Sequence, residues 1–162
     1  MTEPLKILLV EDNQLHCVQV QGLLVKECGI EVLLAMTLAE AKKLESEADA
    51  VILDIGLPDA SREEVLAWMR ECGRPIMVYT ASVDGEDIQE LVRAGALNVI
   101  GKGSHGDQII TGIRVVIAEH NLLCEERDRR ERLGFILRSA FGEWMNRFDK
   151  EHACCHEPVG VS

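Results

Sequence analysis

The feature that most constrains the fold of this chain is a series of five short apolar runs at similar spacing. They span residues 5–10, 30–34, 50–53, 76–79 and 97–100. In several of these runs Val, Ile and Leu occupy nearly every position. Such continuous apolar runs are typical of strands that are buried on both faces of a parallel sheet.

The segments between these runs have the apolar spacing of helices. Cys17, Val20 and Leu24, for example, fall on one face of the first predicted helix. Ser61 and Asp84 are suited to cap the amino ends of two others. Helices are predicted within residues 12–28, 38–47, 62–71, 86–93 and 107–120. Strands that alternate with helices predict an α/β fold with a doubly wound parallel sheet.

Length and composition fit one folded domain with an acidic surface. The chain has 162 residues, and its formal charge is 17 − 28 = −11. Apolar residues make up 47% of the chain, which suits a globular core and argues against disorder. The excess of Asp and Glu argues against nucleic-acid binding, because phosphate contacts need clustered Lys and Arg.

Other properties of the sequence favour a cytoplasmic protein that does not enter a membrane. No apolar run reaches the roughly 18 residues of a membrane span, and residues 1–6 lack the pattern of a signal peptide. The six cysteines are scattered and form no CxxC pair. We therefore expect reduced thiols and a cytoplasmic location.

The last part of the chain lies beyond this alternating pattern. Residues 122–150 predict one long amphipathic helix, and residues 151–162 predict a flexible tail. One stripe of the helix is apolar and consists of Leu133, Leu137, Phe141, Trp144 and Phe148. The stripe is a candidate interface for a homodimer or a protein partner. The alternative is a helix docked on its own domain.

Polar residues mark the carboxyl ends of four of the five predicted strands. They are Glu11 and Asp12 after the first, Asp54 after the third, Thr80 after the fourth and Lys102 after the fifth. The carboxyl ends of parallel strands meet at one edge of a sheet, so these side chains should lie together. Three carboxylates at one place favour a divalent cation, and hard oxygen ligands select Mg²⁺. A carboxylate there can also act as a nucleophile toward a phosphoryl group, whose charge the ammonium and hydroxyl groups would neutralise.

Four stretches of the sequence resemble the motifs of one known family. They are LLVEDN at 8–13, VILDIGLPD at 51–59, VYTA at 78–81 and GK at 101–102. In this order, each at the end of a predicted strand, they resemble the receiver domain of two-component response regulators over residues 4–121. The resemblance implies a flavodoxin-like sheet of five parallel strands in the order 2-1-3-4-5, flanked by helices. The chain would add a long C-terminal helix to this fold.

The resemblance also implies a role for each of these polar residues. Asp54 would accept a phosphoryl group from a histidine kinase or a histidine phosphotransfer protein. Glu11 and Asp12 would hold Mg²⁺ together with Asp54 and the backbone carbonyl of Gly56. The residues that stabilise the phosphoryl group would be Thr80 and Lys102, and the residue that shapes the loop after the acceptor would be Pro58.

The sequence departs from the family's usual pattern at two positions. The aromatic residue that usually stands three positions before the lysine is replaced by Val99, so an inward-rotating ring cannot carry the signal. The proline that often follows the lysine is replaced by Gly103, so that peptide bond need not be cis. Gly56 and Ser82 are small, and we expect an open site that admits water and shortens the phosphorylated lifetime.

Together these observations predict a phosphorylation-dependent signalling switch and not a dedicated enzyme. Its catalysis would be limited to slow phosphoryl transfer to itself and autodephosphorylation. As a stand-alone receiver without a DNA-binding output domain, it would regulate self-association or a protein partner through residues 122–150. The alternatives are a transcriptional regulator with an atypical short output and a phosphorelay intermediate or phosphate sink. A phosphatase of the haloacid dehalogenase type is disfavoured, because its second aspartate would stand at Gly56.

Overall fold

Five parallel strands form one sheet in the part of the chain that the structure describes, residues 4–81 and 84–152. In this computed structural model the side chains of residues 27, 28 and 148–152 are not described. The strands are β1 (Lys6–Val10), β2 (Glu31–Ala35), β3 (Ala50–Leu53), β4 (Ile76–Thr80) and β5 (Ala96–Gly101). Their order is β2-β1-β3-β4-β5, and every neighbouring pair is parallel. The predicted fold class is therefore confirmed.

Within the same residues, five α-helices connect and follow the strands. They are α1 (Gln14–Cys28), α2 (Leu38–Leu44), α3 (Arg62–Glu71), α4 (Gly85–Arg93) and α5 (Gly106–His152), with a 3-10 turn at Glu45–Glu47. Ser61 and Glu64 form a capping box at the start of α3. The Asp84 side chain accepts a hydrogen bond from the backbone of Asp87 at the start of α4. Both predicted N-caps are confirmed.

Two apolar layers cover the two faces of the sheet. On one face, α1 and α5 pack against side chains that include Leu9 and Ile52. On the other face, α2, α3 and α4 pack against side chains that include Leu8, Val51 and Val78. Successive residues of a strand point to opposite faces, so a strand in which every residue is apolar supplies both layers. β3 and β4 are accordingly buried along their whole length.

The last helix, α5, includes both helical segments that the sequence predicts after β5. The expected long C-terminal helix is present as the continuation of the fifth helix. Residues 113–133 contain neither Gly nor Pro, so nothing in this stretch ends the helix. The boundary between two compact units falls between Asn121 and Leu122. Of the predicted flexible tail, residues 151 and 152 are helical and the remainder lies outside the described residues.

Each of the five described helices contains at least two charged residues. None of these helices combines the length and the hydropathy that a membrane-spanning segment requires.

Gly112 of α5 lies where this helix packs closely on the sheet. A Cβ atom at this position would lie 2.5 Å from Ile100 Cδ1 and 2.8 Å from both Asn98 Nδ2 and Met77 Sδ. These distances are too short for real side chains in a well-packed core. The absence of a side chain at Gly112 is therefore what lets α5 lie this close to β4 and β5.

Replacing this glycine with alanine should destabilise the fold. We expect Gly112→Ala to lower the free energy of unfolding by roughly 1–3 kcal/mol, because the new methyl group overpacks the core. The matched control is Gly22→Ala in α1, where nothing lies within 4 Å of an added Cβ. The control should raise the free energy of unfolding by about 0.5–1 kcal/mol through helix propensity. Urea unfolding followed by circular dichroism measures both, and equal effects would contradict this account.

Candidate functional site

The backbone of the sheet carries the predicted site residues to one edge. The amide of Asp54, just past β3, donates to the carbonyl of Val10 at 2.9 Å. The amide of Lys102, just past β5, donates to the carbonyl of Thr80 at 2.8 Å. These bonds continue the pairing of the strands beyond their ends. The polar residues at the ends of β1, β3, β4 and β5 therefore share one edge of the sheet, where ligands bind in folds of this kind.

The Lys102 ammonium group bridges two carboxylates at this edge. Its Nζ atom lies 2.7 Å from Asp54 Oδ2, and 2.9 and 2.7 Å from Glu11 Oε1 and Oε2. The Lys102 side chain is 10% exposed and that of Glu11 is 1% exposed. Burial by itself lowers the pKa of the Lys102 amine. The hydrogen bonds to Asp54 and Glu11 outweigh this effect, so the pKa of Lys102 is raised above its ordinary value.

Glu11, Asp12 and Asp54 form an acidic cluster, in which one carboxylate oxygen of each lies within 4.8 Å of the others. Glu11 and Asp54 are buried, whereas Asp12 is exposed. With Lys102, the four side chains carry a formal charge of −3 + 1 = −2. Glu11 Oε2 is buried and lies near Lys102 Nζ, but it accepts no well-directed hydrogen bond from the described residues. Excess negative charge and an incompletely satisfied buried oxygen both fit a site for a divalent cation.

The loop after Asp54 is anchored to a neighbouring helix. The Gly56 amide donates to Asp54 Oδ1 at 3.2 Å, and Pro58 lies in the turn that follows. Asp59 Oδ1 accepts a hydrogen bond from the Leu38 amide at 2.8 Å, at the start of α2. This bond is the main reason why the pKa of Asp59 is lowered. Asp59 ends the VILDIGLPD motif, but its contact with α2 could not be inferred from the sequence, because a carboxylate that caps a helix 21 positions earlier leaves no local signal.

His16 is a second residue beside the site that the sequence did not reveal. Its Nδ1 atom lies 3.5 Å from Glu11 Oε1, and its ring meets Tyr79 edge-on with ring centroids 6.4 Å apart. Tyr79 is buried, and Lys102 Nζ lies 6.0 Å from the centre of its ring. The sequence showed only a histidine four residues after Asp12. A single histidine on a predicted helix does not indicate a particular role. His16 and Tyr79 flank the acidic cluster on the side of α1.

The remaining predicted switch residues lie on β4 and β5. Thr80 ends β4 and is buried. Val99 is half-buried in β5 and packs against the core layer of α2, α3 and α4. The described residues contain no cis peptide bond, so the bond between Lys102 and Gly103 is trans. Ser82 lies outside the described residues. The roles assigned to these residues stay predictions.

The apolar stripe of the C-terminal helix is exposed. Leu133, Leu137, Phe141 and Trp144 expose 52%, 68%, 63% and 55% of their surface. Phe141 and Trp144 contact each other, with ring centroids 5.9 Å apart. The side chain of Phe148 lies outside the described residues. Four large apolar side chains that are exposed along one stripe of a helix form a candidate binding surface.

Known proteins resemble the part of the chain that contains the sheet. Residues 7–114 match the family model of the response regulator receiver domain. The chain is 29% identical over 122 residues to the transcriptional regulatory protein KdpE of Mycobacterium tuberculosis, covering 74% of this chain and 54% of KdpE. It is 32% identical over 113 residues to the sensor histidine kinase AruS of Pseudomonas aeruginosa, covering 65% of this chain and 11% of AruS. The chain therefore spans about half the length of the curated regulators it matches.

Solved structures show the same fold. The chain resembles a CheY-like response regulator receiver domain protein from Methanospirillum hungatei with a TM-score of 0.65 and 24% identity. The match covers 74% of this chain and 98% of that one. At this identity the likeness shows the fold alone.

The contacts of Lys102 predict a specific pH dependence of stability. Folding raises the pKa of Lys102 above its unfolded value near 10.5. The contribution of Lys102 to the free energy of unfolding is therefore fully present below pH 10.5 and is lost as the pH rises through the pKa of the folded state. We expect Lys102→Met to lower the free energy of unfolding by roughly 3 kcal/mol at neutral pH, and by progressively less in alkali. Urea unfolding at several pH values measures this difference. The control, Lys26→Met at an exposed position of α1, should show no such trend. If the destabilisation by Lys102→Met did not depend on pH, the result would contradict the conclusion that the ion pairs of Lys102 stabilise the fold.

Proposed function

The chain belongs to the response regulator receiver domain family, and on this premise we propose that Asp54 accepts a phosphoryl group. The donor would be the phosphohistidine of a histidine kinase or of a histidine phosphotransfer protein. An Asp54 carboxylate oxygen would attack phosphorus, the bond from phosphorus to the imidazole nitrogen would break, and an acyl phosphate would form. The position of Asp54 carries this proposal: Lys102 Nζ lies 2.7 Å from its Oδ2, and the Gly56 amide lies 3.2 Å from its Oδ1. These donors orient the carboxylate for attack.

The acidic cluster would hold Mg²⁺ through Glu11, Asp12, Asp54 and the backbone carbonyl of Gly56. The short distances between the three carboxylates support this proposal, as does the incompletely satisfied oxygen of Glu11. Mg²⁺ prefers oxygen ligands of this kind. When bound, the ion would neutralise negative charge on the carboxylate and phosphoryl oxygens.

Lys102 and Thr80 would bind the phosphoryl oxygens after transfer. Lys102 already contacts Asp54, so its ammonium group is placed to pair with the added negative charge. Thr80 is buried at the end of β4, which pairs with the strand before Asp54. Because Val99 stands where the family usually has an aromatic ring, the signal would pass through Thr80 and the backbone that follows β4. Pro58 would shape the loop after the acceptor.

Phosphorylation would control self-association or the binding of a protein partner. In this proposal residues 4–121 are the receiver and residues 122–150 are the interface. The exposure of Leu133, Leu137 and Phe141 supports an interface on the C-terminal helix. The protein would act in the cytoplasm as a switch, with catalysis limited to its own phosphorylation and dephosphorylation.

A transcriptional regulator is the second candidate function. It is favoured because the matched relative KdpE is named a transcriptional regulatory protein. The match covers 54% of the length of KdpE. Against it, the structure describes residues 122–152 as part of one helix, and residues 125–132 mix acids and bases instead of forming a basic stripe. DNA binding would weaken steeply with salt in a titration. A phosphorelay intermediate or phosphate sink would pass on or lose its phosphoryl group without a change in assembly.

Phosphoryl uptake from acetyl phosphate in the presence of Mg²⁺ tests the assignment of Asp54. The wild type should gain one phosphoryl group, and Asp54→Asn should gain none, because an amide is a poor nucleophile. Asp12→Asn should slow uptake by on the order of 100-fold through lost charge stabilisation, and a chelator should stop it. Intact-mass spectrometry measures the gain. The control Glu47→Gln, at an exposed acid of the 3-10 turn, should behave as the wild type. Uptake by Asp54→Asn at the wild-type rate would overturn the assignment.

The small residue at position 56 predicts a short phosphorylated lifetime. A Cβ atom at Gly56 would lie 3.7 Å from both Asp54 carboxylate oxygens, an ordinary contact, so a larger side chain fits beside the acceptor. We expect Gly56→Met to lengthen the lifetime about threefold or more, because its side chain keeps water from the acyl phosphate. The control is Gly73→Met, where nothing lies within 4 Å of an added Cβ. Decay after removal of acetyl phosphate measures the lifetime, and unchanged decay in Gly56→Met would rule out this cause.

A further inference from the structure

The loop that follows Asp54 is joined to the first turn of α2 by one carboxylate, that of Asp59. Asp59 Oδ1 accepts a hydrogen bond from the Leu38 amide at 2.8 Å, and Asp59 Oδ2 accepts one from the Ala39 amide at 3.1 Å. Both oxygens of the side chain are therefore engaged, although Asp59 is exposed. The amino end of a helix also carries a partial positive charge, which attracts a carboxylate.

Asp59 supplies the acceptors that the helix's own cap does not. The first amides of a helix have no partner within the helix. The Thr37 side chain accepts from the Glu40 amide at 3.2 Å, and the Thr37 carbonyl accepts from the Ala41 amide at 3.0 Å. The two amides that precede these are the ones that donate to Asp59. The first turn of α2 therefore depends on the loop after the acceptor.

The same end of α2 is also fixed relative to the acidic cluster. β2 ends at Ala35, just before α2, and the Ala35 carbonyl accepts from the Glu11 amide at 3.0 Å. On the other side of the cluster, the Gly56 amide donates to Asp54 Oδ1 at 3.2 Å. The hydrogen bonds of Asp59 therefore close a ring that runs from Glu11 through the start of α2 and the loop to Asp54.

We propose that Asp59 is a positioning residue of the metal site, which fixes the loop so that the Gly56 carbonyl and the acidic cluster stand at the spacing that Mg²⁺ requires. The inference rests on the proposed function, in which these groups hold the ion. Asp59 does not touch the ion and acts only through the loop. Its removal leaves every proposed ligand in the chain and loosens the segment that carries one of them.

The other contacts of the loop do not replace the hydrogen bonds of Asp59. Leu57 is buried in the core layer of α2, α3 and α4, but apolar burial is not directional. The capping box of Ser61 and Glu64 fixes the start of α3, beyond the loop. Hydrogen bonds set both distance and direction, and those of Asp59 do so within three residues of Gly56.

Mg²⁺ should depend on this restraint more than Ca²⁺ does. Mg²⁺ requires near-ideal octahedral geometry with ligands at about 2.0–2.1 Å, whereas Ca²⁺ accepts more flexible arrangements at about 2.3–2.6 Å. A carbonyl on a loosened loop therefore loses more as a ligand for Mg²⁺ than as a ligand for Ca²⁺. Asp59 is in this sense a residue that determines metal specificity.

Titration of the full chain with MgCl2 and, separately, with CaCl2 tests the proposal, with NMR amide signals used to measure the Kd of each ion. Asp59→Ala should raise the Mg²⁺ Kd roughly fivefold or more and the Ca²⁺ Kd about twofold or less. Asp59→Asn keeps one acceptor oxygen for the Leu38 amide and should give a Mg²⁺ Kd between those of the wild type and Asp59→Ala. Equal rises for the two ions in Asp59→Ala would overturn the proposal.

The matched control is Asp84→Ala. Asp84 is also an exposed aspartate at the start of a helix, where it accepts from the Asp87 amide at 2.8 Å. Its replacement removes the same charge and the same kind of cap, and it should raise the Mg²⁺ Kd by less than about twofold. Thr37→Ala removes a cap from α2 without touching the loop and should act likewise. A rise in Thr37→Ala as large as in Asp59→Ala would assign the effect to the stability of α2 and overturn the proposal.

The Mg²⁺ dependence of phosphoryl uptake from acetyl phosphate gives a second readout. A residue that positions the metal site changes how well the ion binds and leaves the chemical step intact. Asp59→Ala should therefore need roughly fivefold more Mg²⁺ for half-maximal uptake and reach the wild-type rate to within about twofold at saturation. A reduced rate at saturation with an unchanged half-maximal concentration would contradict the positioning role.

These measurements separate this proposal from the function on which it rests. Mg²⁺ binding that Asp12→Asn weakens and Asp59→Ala leaves unchanged would remove the role of Asp59 alone. A wild type that binds no Mg²⁺ would remove the proposed metal site and the role of Asp59 with it. Mg²⁺ binding that follows the expected pattern, without phosphoryl uptake, would support the role of Asp59 and remove the phosphoacceptor assignment.

Discussion

The ion pairs that Lys102 makes with Asp54 and Glu11 are the interaction on which the site depends. Two buried carboxylates that follow neighbouring strands repel each other, and burial removes the water that would otherwise screen them. Lys102 offsets this repulsion from the end of β5, at the far edge of the sheet from β2. One ammonium group does not neutralise three carboxylates. The site therefore keeps a charge excess that suits a cation, and a lysine already placed against the acceptor carboxylate.

The surroundings of the site are connected by polar contacts of modest strength. Arg62, at the start of α3, lies 2.7 Å from Asp87 and 3.0 Å from Glu90 of α4. These side chains are between 27% and 48% exposed. Exposed ion pairs of this kind contribute about 0–1 kcal/mol each, so they add little to the apolar packing of the buried Leu91 side chain in the core layer that α4 shares with α3.

The alternation of strands and helices could be predicted from local patterns, the strand order was implied by the family resemblance, and the site could be predicted only in outline. β3 and β4 were readable because a strand buried on both faces needs apolar residues throughout. The cluster at the strand ends was readable because parallel strands bring their carboxyl ends together. Asp59 and His16 were not readable, because each meets its partners through the packing of separate elements. The same reason applies to the ion pairs between α3 and α4.

The sequence by itself determined the strands, their alternation with helices and the residue types at the strand ends, since these are properties of short stretches of chain. The tertiary structure decided which polar groups touch. Lys102 contacts Asp54 across 48 positions of the chain and Glu11 across 91, and no local pattern specifies such pairs. It also decided that Leu133 and Leu137 are exposed. Whether a side chain is buried depends on which elements pack together. An apolar stripe in the sequence indicates only that the stripe is suited to being covered by another surface.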